Sequence, residues 1–187
     1  MLFFIGGAAR AGKGILVRRL LAERQLPYLS LDVLKMGLVR GRPEFALDPN
    51  AGAVQVAAWL WPLVREMSAS LLHDQVDYVF EGEILPQDVA ELRRVHPTQI
   101  CACFLGYCAI EPSQKLREIR TYGGHPNDWP QEVADADLLT IIHREIAFSR
   151  YLRAECGRYN LPYYDVSHQF RLVLDEVVAY VGSVVGG

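Results

Sequence analysis

No stretch of this 187-residue chain approaches the apolar length of a membrane-spanning helix, for which about 20 residues are needed. The apolar run at the N-terminus is only five residues and has no basic segment before it, so it is expected to be a core strand rather than a secretion signal. Positive charge is not in excess. Nineteen Lys and Arg against 22 Asp and Glu give a net charge of -3, which argues against a nucleic-acid-binding protein, since those are usually basic. The four cysteines (Cys101, Cys103, Cys108 and Cys156) lack CxxC spacing, and no histidine stands at ligand distance along the chain. A zinc site is therefore not expected, and the cysteines read as reduced, mostly buried thiols. There are also no repeats, low-complexity tracts or blocks of like charge. What is present is 51% hydrophobic and 22% charged residues, enough apolar material for a core in a single domain over residues 1–187.

The most informative stretch is the first fifteen residues. Leu2 to Ile5 is apolar, Gly6 and Gly7 stop it, and Gly7-Ala8-Ala9-Arg10-Ala11-Gly12-Lys13 leads through Gly14 and Ile15 into a helical pattern. Strand, glycine-rich turn and helix start together form a phosphate-binding P-loop. Glycines let backbone amides turn inward around phosphate oxygens, the positive end of the helix dipole faces the same anion, and Lys13 adds a full charge. Residues Gly7 to Ile15 are thus expected to bind ATP or GTP. One hydroxyl is missing. Where Ser or Thr usually follows the lysine and meets Mg²⁺, this chain has Gly14 and then Ile15. Mg²⁺ is expected to be held through water by acids elsewhere, and Gly14 reads as serving backbone shape.

Apolar runs alternate with helical patterns along the whole chain. Strands are expected at 2–5, 26–31, 76–80, 100–105 and 161–164. Helices are expected at 13–24, 32–39, 51–73 with a kink or break at Pro62, 86–95, 111–122 and 131–156, and a closing helix follows. This alternation predicts an α/β three-layer sandwich with about five mainly parallel strands and helices on both faces. Functional residues then belong just beyond the carboxyl ends of the strands.

That rule selects Asp32, as a proton acceptor, a water-mediated metal ligand or a helix N-cap. It also selects Glu81, ahead of Glu83, for orienting metal-bound water. Arg117 and Arg120 share a helix face before the glycine-containing loop at 123–130. They are expected to neutralise phosphoryl charge beneath a lid over about 120–131. Lys35, Arg40 and Arg42 would suit an anionic acceptor but read as ordinary surface charge. Trp59 and Trp61 cannot face the same way, so one is expected in the core. Ser167 and His168, after the last strand, are a weaker suggestion for a base contact.

The phosphate loop, Ser30-Leu31-Asp32, Glu81-Gly82 and the arginine-bearing helix resemble the nucleoside/nucleotide kinase branch of P-loop proteins. In look they are nearest to bacterial small-molecule kinases of the chloramphenicol phosphotransferase, zeta-toxin and 2-phosphoglycerate kinase-like kinds. The resemblance implies a cytoplasmic, Mg²⁺- and ATP-dependent phosphotransferase with Asp32 as the catalytic base and a small-molecule hydroxyl as acceptor. It implies no nucleic-acid or membrane partner. A nucleoside monophosphate kinase and a non-catalytic nucleotide-binding protein are the alternatives.

Overall fold

The structure, a computed structural model, describes residues 1–123 and 128–185. Five strands form one fully parallel sheet in the order β2-β3-β1-β4-β5: β1 (Leu2–Gly7), β2 (Tyr28–Ser30), β3 (Tyr78–Gly82), β4 (Ile100–Gly106) and β5 (Tyr163–Asp165). β1 lies at the centre between β3 and β4. Every residue of β1 and of β4 is buried, which is why both read as unbroken apolar runs rather than alternating patterns. The two edge strands have three residues each and are half-buried.

The described helices are α1 (Lys13–Arg24), α2 (Leu31–Gly41), α3 (Ala53–His73), α4 (Pro86–Val95), α5 (Pro112–Tyr122), α6 (Asp135–Tyr159) and α7 (Phe170–Val185). They cover both sides of the sheet. α1 packs with α7, and α6 packs with α4, α5 and β4. No helix among the described residues is long and apolar enough to cross a membrane. The chain leaves β1 toward β2 on one side and reaches β4 on the other. The order therefore reverses at β1, and the crevice at its carboxyl end is where an open α/β sheet places its ligand.

The predicted α/β sandwich is the observed one, with local differences. β2 is shorter than predicted, and α2 begins at Leu31, so Ser30 is the N-cap residue and Asp32 lies inside the first turn. β3 runs on through Gly82, which places Glu81 within the strand rather than beyond it. A 3₁₀ turn at Trp129–Glu132 precedes α6, which starts four residues later than expected. The expected lid falls partly on Gly124, His125, Pro126 and Asn127, which lie outside the described residues. Trp61 packs on the core ring of Phe4 at 6.1 Å between centroids, while Trp59 is exposed beside Phe45.

α3 continues unbroken through Pro62, although a proline removes one helical hydrogen bond and crowds the preceding turn. Burial of Val56, Ala57, Leu60, Val64 and Ser68 along one face holds the helix across that fault. Pro62→Ala is expected to stabilise the fold by about 2 kcal/mol: roughly 3 kcal/mol of helix strain is relieved and up to about 1 kcal/mol is lost as the unfolded chain gains freedom. Urea unfolding of the two proteins measures it, and an unchanged or lower midpoint contradicts it.

Candidate active site

The phosphate loop is shaped by bonds from outside itself. Ala8 extends the sheet pairing by donating its amide to the Leu105 carbonyl at 3.0 Å. The chain then turns through Arg10, at φ 62°, and Gly12, at φ 93°, before α1 begins at Lys13. Ile15 and Leu16 both donate to the Gly12 carbonyl and close the first helical turn. The amide of Ala9 is bound by the Glu145 carboxylate of α6 at 2.8 Å. Among the described residues, the amides of Arg10, Gly12, Lys13 and Gly14 have no acceptor. Four such amides at a helix N-terminus make a cradle for an anion.

Lys13 is buried and donates to the carbonyls of Gly7 at 3.0 Å and Ala8 at 2.9 Å. Its Nζ is 3.9 Å from Oε1 of Glu81, which is also buried. The loop is braced on its other side as well. Tyr107 donates its hydroxyl to the Ala9 carbonyl at 2.7 Å, and Lys115 donates to the Arg10 carbonyl at 3.2 Å. The Arg10 side chain pairs with Asp128.

A second charged group lies at the start of α2. Lys35, only 7% exposed, sits 2.7 Å from Oδ1 of Asp32 and 3.6 Å from Oε2 of Glu83. Burial works against its charge, but the Asp32 hydrogen bond and the Glu83 carboxylate outweigh that and hold the ammonium above the ordinary lysine value. Burial pushes the Glu83 carboxyl up; Lys35 and Lys13 oppose this, and Glu145 and Asp32 add to it. Lys35 is therefore not the surface charge expected from the sequence. Its place one turn after the buried Leu31 is the signal that could have identified it. The Asp32 carboxylate itself is largely exposed, so Asp32 is neither a buried acid nor the helix cap.

The two arginines of α5 stand differently from their expected roles. Arg120 donates to Oδ1 of Asp135, from Nε at 3.0 Å and Nη2 at 2.6 Å, and to the carbonyls of Pro130 at 2.5 Å and Val133 at 2.6 Å. It ties the segment before α6 to α5. Arg117 is exposed, and two positions along a helix from Lys115 it faces away from the loop that Lys115 touches. Neither arginine hydrogen-bonds the phosphate loop among the described residues. The inward cation of this helix is Lys115, which the pairing of Arg117 with Arg120 at i, i+3 passed over. Arg42, like Arg120, is engaged elsewhere, with Glu44 and over the Phe45 ring.

No three His, Cys, Asp or Glu side chains among the described residues converge as a metal-binding group. Magnesium usually keeps several waters and takes one or two carboxylates together with phosphate oxygens. The exposed Asp32 carboxylate and the Glu81 carboxylate beside Lys13 suit that sparse coordination. A cleft of about 380 Å³ opens between the start of α3 and α6, lined by Gly52, Gln55, Arg144, Glu145, Phe148 and Tyr151. Glu145 also binds the loop amide of Ala9, so one end of this cleft reaches the phosphate loop. Beyond β5, Asp165 accepts from the amides of Cys108 at 3.2 Å and Ser167 at 2.9 Å, and the Ser167 hydroxyl accepts from Ala109 at 3.0 Å. Ser167 is thus occupied in fixing the segment after β4, and His168 is exposed.

No protein-family model matches the chain, and no curated protein shows detectable sequence similarity to it. Solved structures share its fold. A gluconokinase from Sinorhizobium meliloti superposes with a TM-score of 0.61 at 13% identity, over 98% of this chain and 93% of the other. A shikimate kinase from Bacteroides thetaiotaomicron gives 0.60 at 14% identity, over 97% and 98%. The YorR protein of Bacillus subtilis, solved with phosphorylated GDP, gives 0.51 at 12% identity, over 97% and 96%. At these identities the likeness shows a shared fold and nothing finer.

The two glycines flanking Lys13 differ in what they require. Gly12 has φ 93°, and a Cβ there would stand 2.7 Å from the Phe170 ring. Gly14 has no left-handed φ, and its Cβ would meet only Nη1 of Arg18 at 3.7 Å. The expectation that backbone shape demands glycine at position 14 is therefore corrected. Gly14→Ser should change stability by less than about 1 kcal/mol, whereas Gly12→Ala should cost at least about 1–3 kcal/mol. Equal unfolding midpoints for the two variants in urea would contradict this.

Proposed function

We propose that the chain is an ATP-dependent kinase, with GTP as the other possible donor, that transfers the γ-phosphoryl group to a hydroxyl of a small-molecule acceptor in the cytoplasm. The observation that carries this reading is the row of amides at Arg10, Gly12, Lys13 and Gly14 beside the buried Lys13, with the exposed Asp32 carboxylate on the helix after β2, which lies on the far side of β3 from β1. The gluconokinase and shikimate kinase activities of the fold neighbours, and the nucleotide bound to the third, agree with it.

On this reading the loop amides and Lys13 hold the β- and γ-phosphates, and Lys13 exchanges the Gly7 and Ala8 carbonyls for phosphate oxygens. The acceptor lies in the cleft between α3 and α6, with its hydroxyl toward Asp32. Asp32 takes the hydroxyl proton as the oxygen attacks the γ-phosphorus, and the bond from phosphorus to the β–γ bridging oxygen breaks to release the diphosphate. Lys35 supplies Asp32 with a fixed counter-charge from a buried position. Mg²⁺, when bound, neutralises phosphate charge, and phosphate oxygens and waters on Asp32 and Glu81 would hold it. Arg117, exposed on α5, remains the candidate cation for the phosphoryl group, while Arg120 would first have to leave Asp135.

Lys13→Ala is expected to weaken ATP binding by about an order of magnitude, since a charge-assisted contact is lost. Asp32→Asn should leave ATP affinity nearly intact and lower acceptor-dependent turnover by roughly 10²-fold, the usual scale for losing a general base. Calorimetry with ATP and GTP, followed by an acceptor panel that includes D-gluconate and shikimate, measures both effects. Equal ATP affinity for wild type and Lys13→Ala would overturn the nucleotide site. Tight ATP binding with no turnover on any acceptor would favour a non-catalytic nucleotide-binding protein, in keeping with the missing hydroxyl at Gly14.

A further inference from the structure

Phosphoryl transfer by the groups named so far leaves one buried cation beside the phosphate loop without a role. Lys115 is 5% exposed. Its nearest carboxylate, Glu118, is 3.9 Å away and partly exposed. Burial pushes the ammonium below the ordinary lysine value, with Glu118 opposing and Arg10 adding to the effect. A charge held so deep with so distant a counter-ion needs compensation from its other contacts. Those contacts are the Arg10 carbonyl at 3.2 Å and the face of the Tyr107 ring, whose centroid is 4.3 Å from Nζ.

Both groups act on the same short run of backbone. Tyr107, under the ammonium, donates its hydroxyl to the Ala9 carbonyl, so two successive loop carbonyls are pinned by neighbouring side chains. A trans peptide is planar, and its C=O and N–H point opposite ways. Pinning the Ala9 carbonyl therefore aims the Arg10 amide the other way, and that amide has no acceptor among the described residues. Pinning the Arg10 carbonyl aims the Ala11 amide back at the Ala8 carbonyl, which it meets at 3.3 Å. The pinned turn is also strained. Arg10 has φ 62°, a region that non-glycine residues seldom occupy unless their surroundings enforce it.

We propose that Lys115 is a positioning residue of the nucleotide site: with Tyr107 it holds the Ala9 and Arg10 carbonyls away from the cradle and locks the Ala11 amide onto Ala8, so that the amides of Arg10, Gly12, Lys13 and Gly14 face the phosphates. The inference rests on the nucleotide reading of the loop and goes beyond it, because Lys115 acts through its bond to the Arg10 carbonyl. Tyr107 acts in the same sense but without a charge.

The test is calorimetry of Mg·ATP binding to the full chain, together with ¹⁵N spectra of the free protein, for wild type, Lys115→Met, Tyr107→Phe and Lys13→Ala. Lys115→Met should bind ATP about tenfold more weakly, through loss of a charged hydrogen bond that orders the loop. Tyr107→Phe should bind about threefold more weakly, the scale of one neutral hydrogen bond. In both variants the amide resonances of Gly12 and Gly14, which neither side chain touches, should shift or broaden, while that of the distant Gly157 in α6 stays in place. A folded Lys115→Met that binds ATP like wild type, while Lys13→Ala loses affinity, overturns the inference and leaves the nucleotide reading standing. Weaker binding with Gly12 and Gly14 unmoved also overturns it, since Lys115 would then act by charge alone. If Lys115→Met does not fold, Tyr107→Phe decides in the same way. Equal binding by Lys13→Ala and wild type removes the nucleotide reading itself.

Discussion

Each carbonyl from Gly7 to Arg10 accepts a hydrogen bond from a side chain, and the direction of the loop amides depends on this. Lys13 takes the first two, Tyr107 the third and Lys115 the fourth. Backbone carbonyls left free in so tight a turn would compete with the amides for the same space. Tied back, they leave a run of partial positive charge that faces one way. The central place of β1 makes this arrangement possible. A strand flanked on both sides can be followed by a loop that elements from both halves of the sheet reach, β3 supplying Glu81 and the segments after β4 supplying Tyr107 and Lys115.

The charges around the loop are matched locally. Lys13 stands by Glu81, Lys35 by Asp32 and Glu83, Arg10 by Asp128, and Arg144 by Glu145 at 3.5 Å. An isolated buried charge is expensive, whereas a paired and hydrogen-bonded one is tolerable. Charges gathered around the loop can in this way be held in the fold without an external counter-ion. The pairs are loose enough to exchange partners: Lys13 to Glu81 is 3.9 Å and Lys35 to Glu83 is 3.6 Å, beyond the length of a strong charged hydrogen bond.

The sheet and the strand, turn and helix around Lys13 were legible in the sequence because their signals are local. Leu2 to Ile5 is apolar without alternation, and two glycines spaced ahead of Lys13, between a strand and a helix, suit a phosphate cradle far better than an ordinary turn. Lys35 and Lys115 were not legible, because burial of a lysine depends on partners that only the tertiary fold brings near. Each does share a helix face with a buried apolar residue, Leu31 for Lys35 and Ile119 for Lys115, and that pattern is visible in the chain itself. Arg117 and Arg120 were chosen by spacing along a helix, but spacing does not say which face turns inward. At Pro62, where local strain predicted a kink or a break, α3 runs on as one helix with a buried face. Glu145 gave no local sign at all, since it meets the loop across 136 residues of chain.

That separation has a consequence for synthesis. The loop after β1 is made well before three of its supports, Tyr107, Lys115 and Glu145, which follow much later along the chain. β1 cannot be flanked on both sides until β4 has been translated, and Ala9 keeps its amide unclaimed until α6 docks. Contacts so distant along the chain close slowly, because the entropy of a long loop must be overcome before they form. Until then β1 is an exposed apolar strand followed by an unformed turn. The loop becomes fully ordered only after α6 has been made, so an anion bound there would meet a folded domain rather than a bare β1 and its turn.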